Sequence, residues 1–312
     1  LGGVERAGRG MSVVGLSRSM MELGRAVQQG RREGGAGGAR QAREAVRALE
    51  GSSGARLLRE LLTERAPELD AWGVSQAVWG LGWCGWSHHA SAPLLRALEA
   101  RALEELPAMT PQGLANVAWG MGRQAWGPGP EFTQALVRRA RAGLADAAED
   151  GGGGETGAFR PLEVTNLVEG LSRWRGEGAR KAFEDGGLQG HLEACVEARL
   201  GDFRGMELVR LLDAMRRLDA PVPSSRLIEL VSRELLLGSD EGSAGAGEVP
   251  ALCRFVWLCG KLGFSPPNGH FEAAEVTLES CLGALKPVDL ANFLWGAQQV
   301  GWRVEGTLLG AM

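Results

Sequence analysis

Three of the four asparagines in this chain, Asn116, Asn166 and Asn292, occupy the same place in a recurring string. Leu114 to Gly120 reads Leu-Ala-Asn-Val-Ala-Trp-Gly, and Leu290 to Gly296 reads Leu-Ala-Asn-Phe-Leu-Trp-Gly. Degraded copies begin at Val74, Val164, Leu208 and Leu252. With the first Leu or Val of each copy as offset 0, offset 2 holds Gln76, Asn116, Asn166, Arg210, Arg254 and Asn292. Offset 9 holds Trp83, Arg123, Arg173, Arg217, Lys261 and Gln299, which places a cation in four successive copies. The two columns are about two helical turns apart, so on a helix they share a face. Cations neutralise phosphates and amides pair with the edges of unstacked bases, so these types at this spacing suit a single-stranded nucleic acid. The plainer alternative is a solvated helix face, the commonest place for Arg and Lys. Solvation alone, however, does not require the charges to keep register.

Offset 5 holds Trp79, Trp119, Glu169, Asp213, Trp257 and Trp295, and offset 6 holds Gly80, Gly120, Gly170, Ala214, Leu258 and Gly296. An exposed indole can stack on a base. It can also serve packing, because a glycine inside a helix costs about 1 kcal/mol against alanine and so needs a steric reason to recur. The structural expectation is that the Trp of one helix lies over the offset-6 Gly of its neighbour. Glu169 and Asp213 then either pair with nearby arginines or mark a change in the ligand path.

These columns require an array of helices. The offset-5 position falls at 79, 119, 169, 213, 257 and 295, in steps of 40, 50, 44, 44 and 38 residues. Self-similarity at this period marks a stack of supersecondary units that present one long surface. Apolar residues at offsets 0, 3, 4, 7 and 10 follow the helical period, giving a first helix, A, in each unit. Helix A stops at Gly85-Trp86, Ala125-Trp126, Gly263-Phe264 and Gly301-Trp302, where a left-handed residue ends the helix and an aromatic folds back on it. Prolines often follow, and then a second amphipathic helix, B, as at 92–106, 131–147, 224–237 and 270–285. A partial earlier copy is expected from Val14-Gly-Leu-Ser-Arg18, which resembles Glu169-Gly-Leu-Ser-Arg173.

The predicted fold is all-α, an α-solenoid of about six to seven helix–turn–helix repeats of 38–50 residues. It forms a single array over residues 10–312, with repeat starts near 9, 74, 114, 164, 208, 252 and 290. Gly-rich stretches at 28–40, 146–158 and 238–249 read as surface loops between repeats. The chain opens on Leu1 and closes just inside a repeat, and so reads as a fragment of a longer protein.

Composition narrows the function classes. A net charge of −4 argues against a uniformly basic nucleic-acid binder, while leaving room for a local basic stripe. Five cysteines without paired spacing suggest reduced thiols in an intracellular compartment. No apolar run is long enough for a membrane span. Gly260-Lys261 lacks the rest of a phosphate loop, and Cys84, His88 and His89 match no standard zinc spacing. His191 and His270 have no nucleophile pattern near them. The expectation is a binding protein with no cofactor, no metal and no catalysis.

At these residues the chain resembles the octotricopeptide repeat family of organellar RNA-binding proteins. It is also similar to the repeats that precede RAP domains in FAST-kinase-like proteins. Their helical pair carries a Pro-x-x-Leu-Ala-Asn-x-x-Trp-Ala-x-Ala-(Lys/Arg)-Leu-Gly core. Pro111 to Trp126 and Pro287 to Trp302 match it best, and Pro161 to Arg173 comes next. The resemblance implies binding of organellar mRNA or rRNA in a mitochondrion or chloroplast, in support of RNA processing, stability, translation or ribosome assembly. It also implies company with other proteins of such complexes. Asn116, Asn166, Asn292, Arg123, Arg173 and Lys261 stand at the motif positions, whereas Gln76, Arg210 and Arg254 depart from its Asn. The rival reading is a protein-binding scaffold of the HEAT or armadillo type that uses the same surface.

Overall fold

The computed structural model describes residue 2 and residues 8–33, 44–149, 158–185, 187–218, 223–236 and 249–304. The described residues form helices and turns, with no strand among them. The chain divides into two compact units, Leu1–Leu192 and Glu193–Met312.

In the first unit the A helices are α1 (Val13–Glu33), α4 (Ala71–Cys84), α6 (Pro111–Arg123) and α8 (Pro161–Leu171). The B layer comprises α2 (44–51), α3 (Ser53–Glu64), α5 (His88–Glu105), α7 (Pro130–Glu149) and α9 (Gly178–Asp185). Each A helix packs on the next A helix, and α3, α5, α7 and α9 do the same in their own layer. The unit boundary falls inside α10 (Leu188–Ala198). The second unit continues with A helices α11 (Gly205–Arg217), α13 (Val249–Leu262) and α15 (Pro287–Gln299), and B helices α12 (Ser225–Leu236) and α14 (Asn268–Cys281). The helix-pair repeat is therefore present in both units.

Every A helix from α4 onward begins three residues before its offset 0, and in all of these but α13 one of two chemical devices satisfies free N–H groups there. In α4 and α6 the side chains of Asp70 and Thr110 accept from the backbone N–H of Gly73 and Gly113, at 2.7 and 3.2 Å. In α8, α11 and α15 the residue before the helix is Arg160, Arg204 or Lys286. There an acid three residues on (Glu163, Glu207 or Asp289) accepts from that residue's backbone N–H. Either device is worth about 1 kcal/mol. The expected stops also form. Gly85, Ala125, Gly263 and Gly301 have φ of 62°, 48°, 65° and 75°. Trp126, Phe264 and Trp302 donate their backbone N–H to the carbonyls of Met121, Cys259 and Ala297, the closing bond of such a cap.

The motif glycines let A helices touch backbone to backbone. A Cβ on Gly120 would lie 2.3 Å from the Val78 carbonyl oxygen, one on Gly170 2.3 Å from Ala118, and one on Gly296 2.3 Å from the Val256 oxygen. Offset 6 of each helix thus sits on offset 4 of the helix before it. Where that residue is Leu258, α13 touches α11 less extensively than the glycine-bearing neighbours touch each other. The same contact registers α1. Gly80 meets the Met20 carbonyl and Gly24 meets Gly80, so Leu16 of α1 is offset 0.

Two sequence expectations change here. The likeness of Val14–Arg18 to Glu169–Arg173 puts the first copy near residue 9, whereas helix packing starts it seven residues later. Residues 28–33 and 146–149, expected as loop, are the ends of α1 and α7. Those helices gain hydrogen bonds and tertiary contact that composition alone does not reveal. The remainder of the first Gly-rich stretch, residues 150–157 and residues 238–248 lie outside the described residues.

Apolar residues of both layers meet in the interior of each unit, with Phe132, Phe159 and Phe183 fully buried in the first and Phe255 and Phe293 in the second. All five cysteines are free thiols. Burial pushes the Cys84 and Cys253 thiols up to about 12, so they act as small hydrophobic side chains rather than nucleophiles. No described helix is long and apolar enough to cross a membrane.

Candidate nucleic-acid interface

All eleven expected site residues keep a solvent-facing side chain. Gln76, Asn116, Asn166, Arg173, Arg210, Arg217 and Asn292 are half-buried, and Arg123, Arg254, Lys261 and Gln299 are exposed. In the first unit, stacking of α4, α6 and α8 brings Gln76, Asn116 and Asn166 into one row, with Trp83, Arg123 and Arg173 about two turns along. In the second, α11, α13 and α15 bring together Arg210, Arg254 and Asn292, with Arg217, Lys261 and Gln299 beyond them. The amides of Gln76, Asn116 and Asn292 make no hydrogen bond to other described residues. They keep their donors and acceptors for something else.

The offset-9 cations fold back one turn, the direction in which helical side chains lean. What they meet there is set by offset 5. Arg123 lies 5.6 Å from the Trp119 ring and 5.8 Å from the Trp83 ring. Trp83 and Trp119 are themselves 4.9 Å apart, and Trp79 lies 6.5 Å from Trp119. In the second unit Lys261 lies 4.4 Å from the Trp295 ring and 5.6 Å from the Trp257 ring, and the two indoles are 6.4 Å apart. Such cation–π contacts are worth about 0.5–2 kcal/mol and leave the charge un-neutralised. Desolvation, then the like charges of Arg173 and Arg31, lowers the pKa of Arg123. Its guanidinium nevertheless stays protonated at neutral pH. Arg31 of α1, which sequence reasoning missed, thus adds to the positive potential here.

Where offset 5 is acidic, the cation is paired. Glu169 binds Arg173 at 2.5 Å, and Asp213 binds Arg216 at 2.9 Å, Arg217 at 3.1 Å and Arg254 at 3.7 Å. Both carboxylates are buried, at 7% and 3% exposure, where an unpaired charge would be costly. Pairing with arginine is thus the realised one of the two expected roles for Glu169 and Asp213.

The indole contacts correct one expectation. Trp119 and Trp295 lie over Gly82 and Gly260, at offset 8 of the preceding helix, with ring carbons 3.1 Å from where a Cβ would be. They do not lie over offset 6, because Gly80 is already closed by backbone contact with Met20 and Leu258 is not a glycine. In α11 offset 8 is Arg216, whose guanidinium lies 6.0 Å from the Trp257 ring instead. The shifted register of α1 also puts Arg18 at offset 2 and Arg25 at offset 9, both exposed. Arg25 shares its charge with Glu22 at 3.0 Å, a pair open to solvent and therefore weak. Sequence spacing missed these two cations because the Val14–Arg18 likeness pointed to another register.

No group of three or more metal-ligating side chains occurs among the described residues. No protein-family model matches the chain, and no curated protein is significantly similar to it.

Proposed function

We propose that the chain binds single-stranded RNA along the A-helix face of its units, without a cofactor and without catalysing a reaction. The observation that carries this reading is the pairing of a solvent-exposed cation with two indoles at Arg123 and again at Lys261, with Asn116, whose amide makes no hydrogen bond to other described residues, on the first of these helices. Cationic and aromatic side chains along a groove are how single strands are held without dependence on one sequence, and amides add preference for particular bases. The acidic net charge is compatible with this, since the positive groups concentrate locally. The likeness to organellar octotricopeptide repeats supports a mitochondrial or chloroplast mRNA or rRNA as the ligand. It also supports a role in RNA processing, stability, translation or ribosome assembly, in company with other proteins of such complexes.

Replacing Arg123, Arg173, Arg217 and Lys261 together by Ala should weaken RNA binding and flatten its salt dependence by about 0.7 in log–log slope per lost phosphate contact. An unchanged slope rejects the phosphate assignment. If that same variant instead loses a protein partner, the scaffold reading takes its place.

A further inference from the structure

Four cations of the A-helix face converge between α11 and α13. The buried carboxylate of Asp213 is met by Arg216 at 2.9 Å, by Arg217 at 3.1 Å and, from α13, by Arg254 at 3.7 Å. Arg216 also lies 6.0 Å from the Trp257 ring, and Lys261 lies 5.6 Å from the same ring. Asp213 and Trp257 are the offset-5 residues of their helices, so all four charges gather at one level. Arg216, Arg217 and Lys261 fold back to it, and Arg254 comes up to it from offset 2. None of the four is buried.

One guanidinium is enough to neutralise a carboxylate, so the burial of Asp213 accounts for one of these cations and not for the rest. Arg216, Arg254 and Lys261 make no other ion pair with the described residues. Even if Asp213 cancels one of their charges in full, two remain. Like charges held together repel one another, and an anion seated among them removes that repulsion. Donors for it are at hand. Arg216 gives Nε and Nη2 to Oδ1 of Asp213, which leaves its Nη1 group unused. The count of charges names the occupant. A phosphodiester inside a strand carries a single charge and suits a lone cation such as Arg123. A phosphate monoester carries close to two at neutral pH and presents three strong acceptor oxygens. We infer that Arg216, Arg254 and Lys261, held in place by Asp213 and Trp257, form a seat for a terminal phosphate of the bound strand. This rests on the RNA-binding reading above and adds to it where an end of the strand lies.

The test uses the full chain and one single-stranded RNA sequence in three forms: with a 5′-phosphate, with a 3′-phosphate, and with hydroxyls at both ends. A phosphorylated form should bind about tenfold more tightly than the hydroxyl form, the worth of charge-assisted hydrogen bonds to one further group. Whether the 5′ or the 3′ form gains assigns the end. An Arg216→Gln, Arg254→Gln variant should lose that preference and keep most of its affinity for the hydroxyl form. Arg217 stays on Asp213 in this variant, so the buried carboxylate keeps a partner, and thermal melting checks that the fold survives. Lys261→Gln, which leaves Asp213 untouched, should reduce the preference by a smaller factor. A wild-type chain that binds all three forms equally overturns the seat and leaves the RNA reading standing. So does a double variant that keeps the preference, or one that weakens all three forms by the same factor and therefore held only backbone phosphates. A wild-type chain that binds none of the three sinks the RNA reading and the seat with it.

Discussion

The A-helix face carries two kinds of station that differ by one residue. At Trp119 and Trp295 the neighbouring cation rests on indoles, keeps its full charge and stays exposed. At Glu169 and Asp213 the cations one turn on are held by a buried carboxylate and are half-covered. Both arrangements order a long cationic side chain, but they do so with opposite consequences for an incoming phosphate. An indole desolvates the cation without cancelling it. A carboxylate already occupies the place a phosphate would take and must be displaced or shared. The comparison teaches that a column of four like cations is not a uniform track. On the proposed reading, the grip of each cation on a phosphate is set by offset 5.

The hardest blow to this contrast is steric. Gly170→Val would drive side-chain atoms into the Ala118 backbone and part α6 from α8, separating the indole station of Arg123 from the carboxylate station of Arg173. Overpacking of this kind costs about 3 kcal/mol or more, so thermal melting should fall by several degrees and RNA binding should weaken with it. Melting and affinity that both stay at wild-type values would show that helix contact does not hold the stations.

Asp213→Asn comes next. It strips the counter-charge from Arg216, Arg217 and Arg254, at a cost of about 1–2 kcal/mol once their partial exposure is discounted. Urea unfolding should show that loss, while RNA binding at low salt should strengthen and its salt slope steepen. Glu169→Gln should act in the same direction on Arg173 alone, with a smaller change. A slope that does not move in either variant would mean that the paired arginines never face phosphate.

Arg123→Gln should flatten the salt slope by about 0.7 with a loss of stability of about 1 kcal/mol or less, the worth of one cation–π contact made by a side chain that still reaches solvent. The smallest expected change is a gain. Ala125 closes the indole-bearing helix at a φ of 48°, so Ala125→Gly should stabilise the fold by about 0.5–1 kcal/mol, read from the urea midpoint, and leave RNA binding as it is. A loss of affinity there would tie the turn to the ligand.

Much of the fold was legible because helical period and chain-breaking residues are local. The offsets 0, 3, 4, 7 and 10, the stops at Gly85, Gly263 and Gly301, and even the non-glycine stop at Ala125 all appear in the structure where spacing placed them. The first repeat shows where that reasoning ran out. Val14–Arg18 and Glu169–Arg173 look alike as strings, yet α1 is registered by Gly80 resting on Met20, a contact no single helix encodes. The partners of Glu169 and Asp213 were likewise undetermined, since Arg254 reaches Asp213 from the next helix.

From the sequence alone came the repeat period, the direction each helix presents to its neighbours, the helix ends, and the two columns of amides and cations. These depend on residues a few places apart, and a chain read one turn at a time contains them. Tertiary structure alone decided which cations are left un-neutralised, which glycine an indole covers, and that Arg18 and Arg25 join the columns. Those outcomes follow from the sideways stagger of one helix on the next. The stagger is set by where two backbones can approach closely enough to touch, and that depends on both helices at once.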